Sequence, residues 1–404
     1  MSWTRVKLGD IAEFGNGLNF GKEAYSKGIK LIGVSNFRNR FYPDYKELEE
    51  VKEDIVRQND LLVDGDIVFV RSNGNKELVG RCMLIQNPPT KITFSGFCIR
   101  ARLKDLEKHD PVFWAYHFKN QGFRKAMSGT AIGANIQNLS QGRLAVYEAE
   151  VPDIGTQHRI ANVLSTYDKL IYNNEKQIKL LEEVTQRLYK EWFVDLRFPG
   201  YENCKIVDGI PESWIQKKIS DLGEIITGKT PSTSKEQYYG GNIPFIKIPD
   251  MHGCVFPITT EVTLTNEGAN TQKNKYIPKN GIMVSCIATV GLVNIAIELC
   301  QTNQQINSII LNNEQDLYYV YSSMKRLKEL LEGVGSNGAT MTNVNKTKFG
   351  NIEVVYPNDE LRKLYYDYCK PIFEKIYVLS RNIKKLSQVR DCLLPKLISG
   401  EIEV

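Results

Sequence analysis

Residues 156–196 read TQHRIANVLSTYDKLIYNNEKQIKLLEEVTQRLYKEWFVDL. Ile160, Leu164, Tyr167, Ile171, Asn174, Ile178, Leu181, Thr185, Leu188 and Trp192 recur in alternating steps of four and three. That period is the seam of a coiled coil, narrower than the stripe of an ordinary surface helix. Adding 205 to each number gives Tyr365, Cys369, Ile372, Ile376, Leu379, Ile383, Leu386, Arg390, Leu393 and Leu397, with nine of the ten apolar. Two unrelated core helices would not share a register over so many positions. Helices of about 40 residues run about 60 Å at 1.5 Å per residue. Neither can bury its seam alone, so the pattern predicts that they pair with each other.

The repeat extends outward. Trp3, Leu8, Asp10, Ile11 and Phe14 return 211 residues later as Trp214, Ile219, Asp221, Leu222 and Ile225, and Pro152 returns 205 residues later as Pro357. The chain therefore reads as two tandem halves, each a globular unit followed by one long helix, with boundaries at 1–151, 152–199, 200–357 and 358–404. The drift in offset puts insertions and deletions in the globular units, while the helices keep their length. Phe198-Pro199-Gly200 stops the first helix, and a short linker leads to Trp214. Inside the first unit, Gly65 to Arg71 reads as a turn and a strand broken by Ser72-Asn73-Gly74-Asn75; Asn280 to Cys286 is its counterpart. Asp110-Pro111 opens a helix to about Met127, with Asp as cap and Pro at the first helical position. A second runs from about Asp316 to Leu331, and Gly/Ser/Asn-rich stretches follow at 128–135 and 335–340. Strands and helices in this order predict an α+β fold for each unit.

With 42% hydrophobic and 25% charged residues, the 404-residue chain can bury sizeable cores. A net charge of +5 is compatible with nucleic acid without requiring it. No apolar run is long enough to span a membrane and the N-terminus lacks a signal-peptide core, so a cytoplasmic location is expected. The eight cysteines stand singly, without zinc-ligand spacing, and are expected to be buried, reduced thiols.

Three motifs suggest chemistry and fail on context. Gly223 to Thr230 fits the phosphate-binding loop GxxxxGK[ST], but Pro231 disfavours helix at Thr230 and Ser-Thr-Ser is no helix start. Pro43-Asp44 with Glu50-Val51-Lys52 resembles a nuclease signature, yet lies in a charged stretch that reads as a solvated loop or helix face. Asn87-Pro88-Pro89-Thr90 resembles the NPPY element of amino-methyltransferases but lacks its aromatic residue. What remains is a set of polar and basic residues on loops: Asn36, Arg38, Asn39 and Arg40; Arg71, Ser72, Asn73, Asn75 and Lys76; Lys229, Thr230, Ser232 and Lys247; Asn303, Gln304 and Gln305; Asn343, Asn345 and Lys346. Arg and Lys suit guanine edges and phosphates, and Asn and Gln suit adenine edges, so these are the candidate DNA-binding residues.

Over its whole length the chain resembles the specificity subunit of type I restriction–modification systems. The resemblance is carried by Leu188-Tyr189-Lys190-Glu191-Trp192-Phe193-Val194-Asp195, by the run Leu393 to Ile402, and by Thr227 to Ser232, Tyr238 to Phe245 and Asn303-Gln304-Gln305. The first unit matches more loosely, and Asn358-Asp359-Glu360-Leu361 lacks the Glu-Gln pair often found there. The resemblance implies a non-catalytic subunit without cofactor or metal of its own. Two target recognition domains (1–151 and 200–357) would each read half of a bipartite double-stranded DNA site. The conserved spacer helices (152–199 and 358–404) would form an antiparallel coiled-coil ruler with pseudo-twofold symmetry. Two adenine methyltransferase subunits and restriction/translocase subunits would be the partners, holding S-adenosylmethionine, ATP and magnesium. The alternatives are a nucleotide-binding enzyme built on the Gly-Lys-Thr match, and a coiled-coil scaffold that reads no bases.

Overall fold

The computed structural model describes residues 3–37, 40–72, 78–128, 138–327 and 344–404. They form two compact units, one of residues 1–171 with 385–404 and one of residues 172–384. The first unit contains β1 (Thr4–Lys7), β2 (Ala12–Asn16), β3 (Tyr25–Ile32), β4 (Glu49–Val51), β5 (Ile67–Val70), β6 (Cys82–Leu84), β7 (Ile92–Phe94), β8 (Cys98–Leu103) and β9 (Glu148–Val151). They make an antiparallel sheet ordered β2-β8-β5-β6, a mixed sheet ordered β4-β3-β7 and the pair β1-β9.

The second unit opens with the small hairpin β10 (Ile206–Val207) and β11 (Ile210–Pro211). It continues with β12 (Ile215–Lys218), β13 (Gly223–Thr227), β14 (Tyr239–Ile246), β15 (Val262–Leu264), β16 (Ile282–Ser285), β17 (Val293–Ile295), β18 (Gln301–Thr302), β19 (Ile306–Leu311) and β20 (Glu353–Tyr356). Its sheets are β13-β19-β16-β17, β15-β14-β18 and β12-β20, strand for strand the order of the first unit. Parallel pairing also recurs at the same place, between β3 and β7 and between β14 and β18.

The central sheets explain why their strands read as unbroken apolar runs: both faces are covered. In β5, Ile67 and Phe69 face the helix Pro111–Lys119, whose Phe113, Trp114, Tyr116 and Phe118 are buried with Ile160, Leu164, Leu394 and Leu397. Val68 and Val70 face a second cluster with Ile32, Phe37, Ile92 and Phe94. In the second unit, Ile282 and Val284 of β16 pack with Tyr319, Tyr321, Tyr365, Phe373 and Ile376, and Met283 packs with Ile246, Met251 and Ile306. Each large apolar side chain buried this way contributes about 1.5–3 kcal/mol.

The long helices are Ile154–Tyr189 and Asp359–Ile398, the first ending in a π turn at Lys190–Val194. Their starts are built alike. The Asp153 carboxylate accepts the Thr156 N–H (3.1 Å) and the Asn358 amide oxygen accepts the Leu361 N–H (3.0 Å), capping equivalent first turns. Gln157 donates to the Pro152 carbonyl at 2.9 Å, and Arg362 donates to the Pro357 carbonyl at 3.0 Å. In the first unit the start of one helix packs beside the end of the other (Ile160 and Leu164 with Leu394 and Leu397). In the second unit Tyr189, Trp192 and Phe193 pack beside Tyr365 and Cys369. The pairing is therefore antiparallel, and all twenty seam positions are buried or half-buried. The polar seam residue Arg390 pairs with buried Asp168, which also accepts a hydrogen bond from Tyr116 of the Pro111–Lys119 helix.

Several expectations need correction. The helix opened by Asp110-Pro111 breaks at Asn120, whose backbone is extended, into Pro111–Lys119 and Gln121–Ser128. Its counterpart is Leu317–Lys325, and residues 328–331 lie outside the described residues, as do 129–135 and 335–340. The charged stretch after Asp44 supplies strand β4, paired with β3, in place of a solvated loop or helix face. Five cysteines are buried, but Cys204 and Cys254 are half-buried and Cys392 is exposed.

Candidate nucleic-acid interface

At one end of each central sheet, four chain segments are tied together by backbone hydrogen bonds. In the second unit, Gly228 N–H donates to Ile306 (3.1 Å), Lys229 N–H to Thr302 (2.9 Å), Cys286 N–H to Gln305 (2.8 Å) and Val344 N–H to Cys286 (2.8 Å). The end of β13, the end of β16, the turn between β18 and β19 and the segment before the helix Lys346–Gly350 therefore meet in one place. Side chains reinforce the junction. Buried Asn307 donates to the Val344 carbonyl (3.2 Å) and accepts from Thr227 (2.6 Å), while Gln272 donates to the Lys229 carbonyl (2.6 Å). Gly228 has no room for a side chain, since a Cβ there would lie 2.2 Å from the Asn303 carbonyl oxygen.

This junction collects most of the second-unit candidates. Lys229, Ser232, Gln304, Asn345 and Lys346 are exposed, with Thr230, Asn303 and Gln305 half-buried among them. Thr230 donates to Gln304 (2.8 Å) and Asn303 to Gln305 (2.9 Å), so the polar side chains are held in place by one another. Asn345 caps the helix behind it by accepting the Lys348 N–H at 2.9 Å. Lys247 sits elsewhere, after β14, and pairs with Glu261 at 2.8 Å, which holds that carboxyl below the usual range. Asn343 lies outside the described residues.

The first unit repeats the junction bond for bond. Gly17 N–H donates to Cys98 (3.3 Å), Leu18 N–H to Phe94 (2.8 Å), Arg71 N–H to Phe97 (2.7 Å) and Leu139 N–H to Arg71 (2.9 Å). Arg71 and Ser72, both half-buried, stand at it, directly after β5. Asn36 and Arg40 follow β3 instead: Asn36 accepts the Gly33 N–H (2.8 Å), and Arg40 pairs with Asp44 (3.3 Å) and Glu47 (3.6 Å). Arg38, Asn39, Asn73, Asn75 and Lys76 lie outside the described residues. The junction also presents residues that the loop reading missed: Asn19, Phe20, Phe97, Asn138 and Ser140. For Asn19 and Phe20 the signal was the repeat itself, since extending the offset of 211 sets Gly17 under Gly228; the offset of 205 sets Asn138 and Ser140 under Asn343 and Asn345, and Phe97 carries no such signal.

The remaining motifs resolve into ordinary structure. Gly223–Thr227 is a strand, Lys229 N–H is spent on Thr302, and no helix starts at Thr230, so no phosphate cradle forms. Asp44 pairs with Arg40 and Glu50 with Lys30, separate ion pairs with no shared metal position. Asn87 occupies a left-handed turn (φ 44°) and its N–H donates to Asp64.

The sequence matches the family described as "Type I restriction modification DNA specificity domain" over residues 1–183 and 211–388. It is 30% identical to the HindI specificity subunit of Haemophilus influenzae, covering 99% of each chain. It is 25% identical to the MjaIX specificity subunit of Methanocaldococcus jannaschii, covering 100% of this chain and 94% of that one. Among solved structures, the S subunit of a type I restriction–modification system from M. genitalium superimposes with a TM-score of 0.58 at 16% identity, covering 98% of this chain and 96% of that chain.

Proposed function

The chain belongs to the type I restriction modification DNA specificity family, and on that premise we propose that its two strand-end junctions each read one half of a bipartite duplex site. One observation carries the reading: the same hydrogen-bonded scaffold presents different side chains in the two units, Lys229, Thr230, Gln304 and Gln305 in one and Asn19, Arg71 and Phe97 in the other. A conserved frame with variable tips is what two different half-sites require. The paired helices act as the ruler that sets the distance between half-sites. Two adenine methyltransferase subunits and restriction/translocase subunits assemble on this chain in the cytoplasm and hold S-adenosylmethionine, ATP and magnesium. Leu180, Val184, Tyr368, Val378 and Val389 are exposed on the long helices and offer those partners apolar surface to cover. The chain itself is a non-catalytic recognition subunit.

The test is to assemble the chain with its cognate methyltransferase, sequence the modified DNA for methyladenine, and measure binding to the resulting motif. Binding is expected to fall sharply when the spacer is lengthened by several base pairs. Equal binding to both duplexes overturns the ruler.

A further inference from the structure

We infer that Phe97 is a specificity-determining residue of the first half-site, reading a thymine methyl group in the major groove. This rests on the DNA-reading function proposed above and names a residue for it.

Phe97 occupies the position that Gln305 holds in the second unit. Both directly precede the strand that crosses the middle of the sheet, β8 or β19. Both carbonyls accept the N–H of the residue that follows the neighbouring strand, Arg71 at 2.7 Å and Cys286 at 2.8 Å. Both backbone N–H groups are held by the side chain two residues earlier, Ser95 Oγ at 3.2 Å and Asn303 Oδ1 at 3.2 Å. Ser72 N–H adds a further bond to the Phe97 carbonyl (3.3 Å), and the Gly96 N–H donates to Leu18 (2.7 Å). At Gly96 a Cβ would fall 3.1 Å from the Leu18 carbonyl oxygen, so the turn and the Leu18 backbone lie close together. The backbone is thus fixed from several sides, yet Phe97 is 62% exposed.

An aromatic ring held out on a rigid turn contributes little to folding. Its neighbours at the junction are Arg71, Ser72 and Asn19, polar groups suited to base edges and phosphates. A phenyl group offers no hydrogen bond, so among base edges it recognises the one apolar feature of the major groove, the C5 methyl of thymine. Phe20, stacked edge-to-face on half-exposed Tyr25 at 5.5 Å, extends the apolar surface along the Asn19 loop.

The test uses the full chain assembled with its methyltransferase and duplexes in which each first-half thymine is replaced singly by uracil. The unaltered protein is expected to lose about fourfold in affinity at one position, the worth of burying one methyl group. Phe97→Ala is expected to become indifferent to that replacement, and Phe97→Leu to keep part of it. Methyladenine sequencing of Phe97→Ala is expected to show a motif relaxed at that A·T pair with the second half-site unchanged. A Phe97→Ala complex that discriminates thymine from uracil as the original does overturns the inference. So does a first half-site without an A·T pair, or a Phe97→Ala chain that no longer assembles with the methyltransferase, which would place the ring against protein. If the unaltered complex fails to distinguish its motif from scrambled DNA, it is the DNA-reading function itself that falls.

Discussion

Asp168 and Arg390 form a buried ion pair in the first unit, and the equivalent positions in the second unit are Phe373 and Thr185. One fold thus carries an ionic and an apolar solution at the same place. Removing one partner of such a pair leaves an uncompensated charge, so Asp168→Ala is expected to cost about 3–5 kcal/mol in chemical denaturation. Asp168→Phe with Arg390→Thr copies the other unit and is expected to recover most of that loss, because apolar packing commonly matches a buried ion pair. His117 makes a pH prediction. Burial pushes its imidazole down to about 4. The unfolded chain therefore binds an extra proton between about 4 and 6.5; the stability this residue contributes is complete above pH 6.5 and lost as pH falls toward 4. His117→Phe is expected to flatten the unfolding free energy across that window, by up to about 3 kcal/mol at its acid end. Such residues were not legible from sequence: nothing local to Asp168 tells that Tyr116 and Arg390 will meet it.

The helices were the most legible elements, since a seam is periodic and periodicity survives without knowledge of the partner. Their matched caps at Asp153 and Asn358 and the repeated bonds to Pro152 and Pro357 were visible only as an offset. The strand-end junction was half legible. Lys229, Thr230, Gln304 and Gln305 stand out as polar loop residues, whereas Phe97 looks like any core phenylalanine until the pairing of β8 leaves it at a strand end. The parallel pairing of β3 with β7 and of β14 with β18 has no sequence signature. Asn174 is half-buried on the seam. Asn174→Leu is expected to raise the thermal midpoint at the expense of register, and a lower midpoint would refute a register role. One heptad inserted after Ile171 and another after Lys384 preserves the seam. Seven residues add about 10 Å, so the spacer in the modified motif is expected to grow by about three base pairs.

For the molecule as a whole, the internal repeat does more than economise on folds. Each globular head is closed by an antiparallel strand pair, β1-β9 or β12-β20: Lys7 pairs with Glu148, and Lys218 with Glu353. The points where the chain arrives and departs are thus neighbours across one strand pair, about 5 Å apart. A segment with adjacent ends can be lifted out and replaced without disturbing what it is grafted onto. Residues 8–147 inserted in place of 219–352 are expected to give a folded protein whose modified motif carries the first half-site twice, in inverted orientation. In this sense β1-β9 and β12-β20 are clasps, and each head is an exchangeable cassette: a new DNA target is expected from swapping one cassette, with the helices left as they were.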